Sequence, residues 1–503
     1  MAFEPVFESI NCNCERGEIL EQIKAETKTD VPLEQIKKVL SVNAFVTTEE
    51  GMVGDGKLDY SGRVVFFLSY VSINGEIKKA ECGAEFKGMM KSDLLSDGAR
   101  VFTTATVDKI DTDLSGVKLS LSAYVTVRAE VEKCRQVKAL VGGEDVFVKS
   151  QEITYSKGLG LKVGVYPVEE QFDLNYAVKE VLAHKIKAFI TAVQCGVGTL
   201  IVDGEVLLSI IVLQNKEKGG IIRENRTIPF RMELECDEAM PTMQAIARVK
   251  ERAFKTDVSV DEESGQSTVT LTAQLQFYGE AFSISKINVA SDAFCKQNQL
   301  ELEREDFFYS KSCELHGVSS SISGRAFVDE LPVGASLLAV GGEKVEVVSK
   351  ECDNGHLKLT GVLTATAYFT DGEGNYFTRK AETPFDIKEE FGGGCNSESS
   401  VRVGAINARA RVLSLTEIEL EAEIRATLCL KDNAVVGIVK EIKTKEQKEK
   451  CDSALSVYIP FEGEDLWSLA KRLNEDPDKL IETNKDLTFP LTGKERIVVY
   501  RRK

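Results

Sequence analysis

The sequence predicts a mainly β chain: three tandem sandwich- or barrel-like repeats, then a small α+β domain in βααβ order. Three observations lead there. One alternating segment is written three times. A glycine and a phenylalanine precede it each time at matched spacing. After residue 457 the apolar period changes from two to the stripe of a helix.

The recurring segment reads VKLSLSAYVTVRAE from Val117, STVTLTAQLQFYGE from Ser267 and TEIELEAEIRATLC from Thr416. Aligned on Ala123, Ala273 and Ala422, the copies stand 150 and 149 residues apart. Apolar residues alternate at Leu119, Leu121, Ala123, Val125 and Val127, and at the equivalent positions of the other two. Such alternation marks a half-buried strand, which must lay its apolar face on another layer. A period this long suits complete domains rather than solenoid units.

The 503 residues suggest three or four domains, and 43% apolar content supplies several cores. A net charge of −17 argues against a nucleic-acid partner, which calls for clustered Lys and Arg. The N-terminus lacks the basic and apolar regions of a signal peptide, and no apolar run approaches the ~20 residues of a membrane span. The expectation is a soluble chain that stays in the compartment where it is made. None of the twelve cysteines forms a CxxC or a zinc spacing with His, so reduced thiols are expected. Cys12 and Cys14 are the only close pair, and their role stays open.

In chain order, residues 1–30 read as a polar N-terminal extension with a short helix near 17–25. The repeats follow at 31–157, 158–311 and 312–442. The core of each includes a strand carrying an aligned glycine: Gly62, Gly204 and Gly361. A glycine inside a strand marks a bulge or a close backbone approach. Hairpin signals follow at Asn74-Gly75 and Asp371-Gly372. Phe86, Phe230 and Phe385 then anchor the next strand, 24, 26 and 24 residues beyond their glycines. The shared Tyr-Ser-Lys at 155–157 and 309–311 marks the boundaries. The glycine run at 392–394 reads as a loop inside the third repeat. Residues 443–456 form a charged linker that few apolar contacts should cross.

In the last segment, 457–503, a short strand leads to Asp465, an N-cap. Leu466, Leu469, Ala470 and Leu473 make one helical stripe. Asp476-Pro477 opens a second helix, Asn484 stops it, and residues 496–500 close as a strand.

This segment resembles the LysM domain through Tyr458, Gly463, Leu466, Trp467, Leu469, Ala470, Asn484, Gly493 and Ile497. It departs where family members close on a proline, at Val499-Tyr500, and in its acidic loop 462–465. The three repeats resemble the SPOCS domain of spore coat assembly proteins, through the glycine units, the phenylalanine anchors and DVPLEQIKKVLSVNAFV at Asp30. SPOCS repeats followed by one LysM look like the SipL class of clostridial spore morphogenetic proteins. That resemblance implies a mother-cell protein on the forespore surface. Its implied partner is SpoIVA, the ATP-hydrolysing basal-layer protein, with other coat proteins as further candidates.

No catalytic constellation stands out. His184, His316 and His356 lie singly in different parts of the chain, and there is no P-loop. The glycines at 158–164 do not have dinucleotide spacing. Residues 111–116 imitate the start of a calcium loop, but Ser122 stands where a bidentate Glu is needed. The expectation is therefore a non-enzymatic scaffold with no cofactor and no metal. The alternative is a LysM-mediated peptidoglycan- or glycan-binding protein, disfavoured because the cytoplasm offers no cell wall. Glu462, Gly463, Glu464, Asp465, Trp467, Leu487 and Phe489 are the candidate partner-binding residues. They sit where LysM domains form their ligand groove. The acidic ones suit a basic protein surface better than a neutral glycan. Glu464 is expected at the surface, and Trp467 either packs or anchors a partner.

Overall fold

The computed structural model describes residues 3–216, 220–353, 355–390, 400–448 and 453–501; at 11–16, 134, 352 and 353 it describes only the backbone. Strands hold 77% of the chain and helices 4%, so the chain is mainly β. The loop expected at 392–394 lies outside the described residues.

The first pair of sheets comprises β1 (Glu4–Pro32), β2 (Ile36–Gly54), β3 (Lys57–Ser72), β4 (Ile77–Lys91), β5 (Ala99–Asp113) and β6 (Lys118–Glu144). They pair as β2–β3–β4 and β1–β6–β5. The second pair comprises β7 (Phe147–Gly158), β8 (Lys162–Leu174), β9 (Val178–Cys195), β10 (Thr199–Gln214), β11 (Ile221–Glu235), β12 (Gln244–Asp261) and β13 (Gln266–Phe294). Here β9–β10–β11 faces β12–β13, which β7 and β8 extend along successive halves of β13. The third comprises β14 (Asn298–Phe327), β15 (Ser336–Asp353), β16 (His356–Thr370), β17 (Tyr376–Glu390), β18 (Ser400–Val412) and β19 (Glu417–Gln447). Its sheets are β15–β16–β17 and β14–β19–β18. All pairing is antiparallel.

The three alternating segments lie in β6, β13 and β19, the central strands of their sheets. Their apolar rows, Leu119 to Val127, Val269 to Phe277 and Ile418 to Ala426, are all buried between facing sheets. The glycine and phenylalanine anchors are cross-strand partners: Gly62 with Phe86, Gly204 with Phe230 and Gly361 with Phe385. Each ring lies over its glycine. A Cβ on Gly204 would meet the Phe230 ring and the Phe189 carbonyl, so only hydrogen fits there. Both hairpins form. Gly75 takes the positive φ of the first, at +81°, but Gly374 takes it in the second, at +87°. The Asp371 carboxylate closes that longer turn by accepting from the amides of Glu373 (2.9 Å) and Asn375 (2.8 Å).

The N-terminal extension is a correction. Residues 4–32 are β1, paired along most of their length with β6. Ile19 and Ile23, four apart, fit a helical turn as well as a strand. Glu21 between them breaks the alternation on the inward row. Pairing with β6 decides for the strand. The shared Tyr-Ser-Lys stretches lie within strands: β7 pairs with β13, and β14 runs through 311 to pair with β19.

At 27, 29 and 31 residues, β6, β13 and β19 outrun their cores. Their far halves meet in a shared cluster of Ile10, Val137, Ile153, Val289, Phe307 and Ile438. Leu40, Leu182, Ile211, Ala339 and Tyr368 join the other three sheets in a second cluster. Ion pairs cross each seam: Lys250–Glu50 (2.8 Å) between the first and second pairs, Arg402–Glu251 (2.6 Å) between the second and third, and Lys431–Glu132 (3.1 Å) between the third and first. The three pairs thus close on one another. Among the described residues no helix is long and apolar enough to cross a membrane.

Candidate functional site

The C-terminal unit runs β20 (Leu455–Tyr458), α1 (Leu466–Leu473), α2 (Pro477–Thr483) and β21 (Ile497–Tyr500), with β20 and β21 antiparallel. Asp465 caps α1 by accepting from the Ser468 amide at 2.7 Å. Asn474, in the left-handed region at φ +58°, ends it. Asp476 caps α2, with Pro477 at its first position. Asn484 then ties α2 to β21: its Oδ1 accepts from the Val498 amide (2.7 Å) and its Nδ2 donates to the Val498 carbonyl (2.8 Å). Leu469, Ala470, Leu473, Leu480, Leu491, Ile497 and Val499 form the core.

Most of the seven candidate residues are committed to this architecture. Glu464 is not a surface group: its side chain is 5% exposed and forks onto Arg472, with Nε and Nη2 each at 2.8 Å. It also accepts from the Phe461 amide at 3.0 Å. The Arg472 hydrogen bonds hold its carboxyl below the usual range. Gly463, at φ +80°, donates to the Leu491 carbonyl (2.7 Å), and Leu491 donates back to Glu464 (3.0 Å), so the two loops are stitched together. Leu487 and Phe489 lie half-buried over the core. Glu462 is exposed.

Asp465 and Trp467 point to the body of the protein. Lys149 reaches Asp465 at 3.3 Å, and the Trp467 indole donates to Asp292 at 2.8 Å. The indole meets Phe294 edge-on at 5.2 Å, and Phe294 stacks on Phe147 at 5.0 Å. Lys471 and Lys296 add ion pairs to Asp292 (2.7 Å) and Glu475 (3.2 Å). Apolar contacts therefore do cross to the C-terminal unit, contrary to expectation. They come from the ends of β7 and β13, far away in sequence, not through the linker. Its residues up to 447 continue β19, and 449–452 lie outside the described residues.

This docking leaves the outer face of the β20–β21 sheet bare. Leu455 and Val457 alternate along it with exposures of 53 and 57%, and Tyr500, opposite Leu455, is 67% exposed. Beyond the strand Ile459 is 71% exposed, whereas the Phe461 ring carries the Arg472 guanidinium 4.6 Å from its centre. The row is visible in the sequence as LSVYIPF, but Tyr458 and Pro460 are apolar too. The run therefore does not say which side is covered.

Elsewhere, polar groups face one another across the seams. A cleft between the second and third sheet pairs is lined by Lys185, Lys187, Arg223, Asn225, Glu343 and Asn407. Burial, with the Arg402 charge nearby, pushes the Lys187 ammonium down to about 7. A second cleft gathers Arg100, Glu130, Glu132, Arg248 and Glu280, where the cations pair with the carboxylates. Strand pairing builds both clefts from distant positions, so no local motif announces them.

The three histidines stay apart. His184 is wedged between the Phe67 and Phe254 rings, His316 lies 3.1 Å from Glu314, and His356 lies 3.8 Å from Glu390. Among the described residues no three His, Cys, Asp or Glu side chains gather as a metal site. Residues 111–113 end β5 and 114–116 lie in the β5–β6 turn, where Asp113 accepts from the Ser115 amide. Cys82, Cys195, Cys236, Cys295, Cys313 and Cys429 are free thiols; the side chains of the other cysteines, Cys12 and Cys14 among them, lie outside the described residues. No protein-family model and no curated protein matches the sequence.

Proposed function

We propose that this chain is a non-enzymatic spore-envelope scaffold of the SPOCS–LysM type. In this reading it binds a SpoIVA-like basal-layer ATPase at the forespore surface, in the mother cell, and helps anchor the coat. The sheet pairs are the SPOCS-like repeats, each a sandwich with its own core, and the βααβ unit is the LysM-like domain. The observation that carries the reading is the exposed apolar face of Leu455, Val457 and Tyr500, continued past the strand by Ile459. It lies on a small unit anchored to the body through Trp467. A contiguous exposed apolar patch of this kind marks an interaction surface. Held on a rigid base, it meets a partner with little loss of conformational entropy.

This moves the contact from the acidic loop to the strand face. Glu464 is taken by Arg472 and Asp465 by the cap of α1 and Lys149, leaving Glu462 as the exposed acid of that loop without such a role. The test is calorimetric titration of the full chain with the basal-layer ATPase. Val457→Asp with Ile459→Asp should weaken binding about 100-fold or more while the thermal melt stays unchanged. Undiminished binding by this variant overturns the placement. Saturable binding of a chitooligosaccharide, lost on changing Glu462 and Phe489, would favour the glycan-binding alternative instead.

A further inference from the structure

The two edges of the β20–β21 sheet differ. In an antiparallel pair, hydrogen-bonded and non-bonded positions alternate. Arg501 donates to the Ala454 carbonyl at 3.0 Å, so that pair is bonded. By alternation Ser456–Val499 and Tyr458–Ile497 are bonded as well, while Leu455–Tyr500 and Val457–Val498 are not. The amides and carbonyls of Leu455, Val457 and Val498 therefore point away from the ladder. On the β21 side Asn484 satisfies both groups of Val498. On the β20 side no described residue bonds to the backbone of Leu455 or Val457 outside the strand pair.

An open edge whose side chains are also exposed and apolar is a template for another strand. Resting on the reading of this unit as the partner contact, we propose that the β20 edge takes an extended segment of the partner as a third strand. Main-chain hydrogen bonds to Leu455 and Val457 would supply much of the affinity, and alternate side chains the specificity. The face selects the segment's chemistry. Its apolar side chains alternate, to continue the row of Leu455, Val457 and Ile459. At the Ile459 end, Arg496 and Lys494 are exposed and form no ion pair among the described residues. Two free cations on a chain of net charge −17 favour carboxylates at that end of the segment, with Glu462 the nearby opposing charge.

The experiment separates backbone from side chain. Val457→Pro removes an amide that the β20–β21 ladder does not use, so the unit stays folded and the edge is blocked. Titrated with the basal-layer ATPase, full-length Val457→Pro should bind about 50-fold more weakly, and Val457→Ala less than about 10-fold more weakly. Arg496→Glu should weaken binding and flatten its salt dependence. If Val457→Pro lowers the melt, hydrogen exchange on the unmodified complex decides: residues 455–459 should become protected when the partner binds. Should the double aspartate variant abolish binding while Val457→Pro leaves it intact and 455–459 stay unprotected, the apolar face stands and strand addition is overturned. Neither variant weakening binding overturns the placement itself. A chain dimer lost with Val457→Pro would assign the edge to a second copy and overturn the heterologous partner.

Discussion

Trp467 donates its indole N–H to the Asp292 carboxylate at 2.8 Å across 175 residues of sequence, and this bond orients the C-terminal unit on the end of β13. Asp292 also holds Lys471 (2.7 Å) and Arg304 (2.9 Å), so one carboxylate gathers three donors from two parts of the chain.

Trp467→Phe keeps the ring contact with Phe294 and loses the hydrogen bond, which should cost about 1–2 kcal/mol of docking. Trp467→Ala loses both, about 3 kcal/mol. Calorimetry should show a separate low-temperature transition for the C-terminal unit with the main transition unmoved. Burial raises the Asp292 pKa, but the hydrogen bonds from Lys471 and Trp467 outweigh it and leave the group below its ordinary value. The docking contribution is therefore complete above the unfolded value of about 3.9. It fades as pH falls through the lower folded one.

Glu464→Lys faces Arg472 with a second cation in a closed site. It should destabilise the C-terminal unit by about 3 kcal/mol, and Glu464→Gln by about 1–2 kcal/mol. Denaturant titration followed by Trp467 fluorescence reads both. A loss within about 0.5 kcal/mol for Glu464→Lys would show the carboxylate to be solvent-facing.

Gly204→Ala should cost about 2–3 kcal/mol by denaturant unfolding, since its methyl meets both the Phe230 ring and the Phe189 carbonyl. Adding Phe230→Leu should recover only part, because the carbonyl remains. Gly437→Ala, with open space around its Cβ, should stay within about 0.5 kcal/mol of the parent.

His184 should steepen the acid limb of stability. Burial, with the Lys79 charge adding to it, pushes its pKa from 6.5 down to about 4. Neither ring nitrogen has a hydrogen-bond partner among the described residues. Between these values the unfolded chain binds the extra proton, so stability falls as pH falls, by about 3 kcal/mol in total. His184→Phe should flatten this limb in denaturant titrations at pH 7, 5 and 4. Glu251 acts lower. Its burial is outweighed by the Arg402 charge, and its pKa drops from 4.5 to about 2. Its contribution, complete above pH 4.5, is lost progressively as pH falls from 4.5 through about 2, so a loss above pH 5 that survives His184→Phe would contradict this account.

By itself the sequence determined the class of the chain, its strand-bearing stretches and the order of the C-terminal elements. These depend on local chemistry: alternation at Leu119–Val127 and its counterparts, and capping by Asp465 and Asp476. Tertiary structure decided what local pattern leaves ambiguous. Ile19 and Ile23 suit either period until β6 pairs with them. The Tyr-Ser-Lys stretches read as connectors until β7 and β14 pair with β13 and β19. Tertiary structure also decided which side chains are free. Glu464 reads as a surface acid until Arg472 folds over it, and Trp467 as either a packing ring or a partner anchor until Asp292 takes its N–H. The apolar run at 455–461 shows which side is bare only once the helices cover the other. Exposure depends on what the rest of the chain covers, and that comes from strands paired hundreds of residues apart.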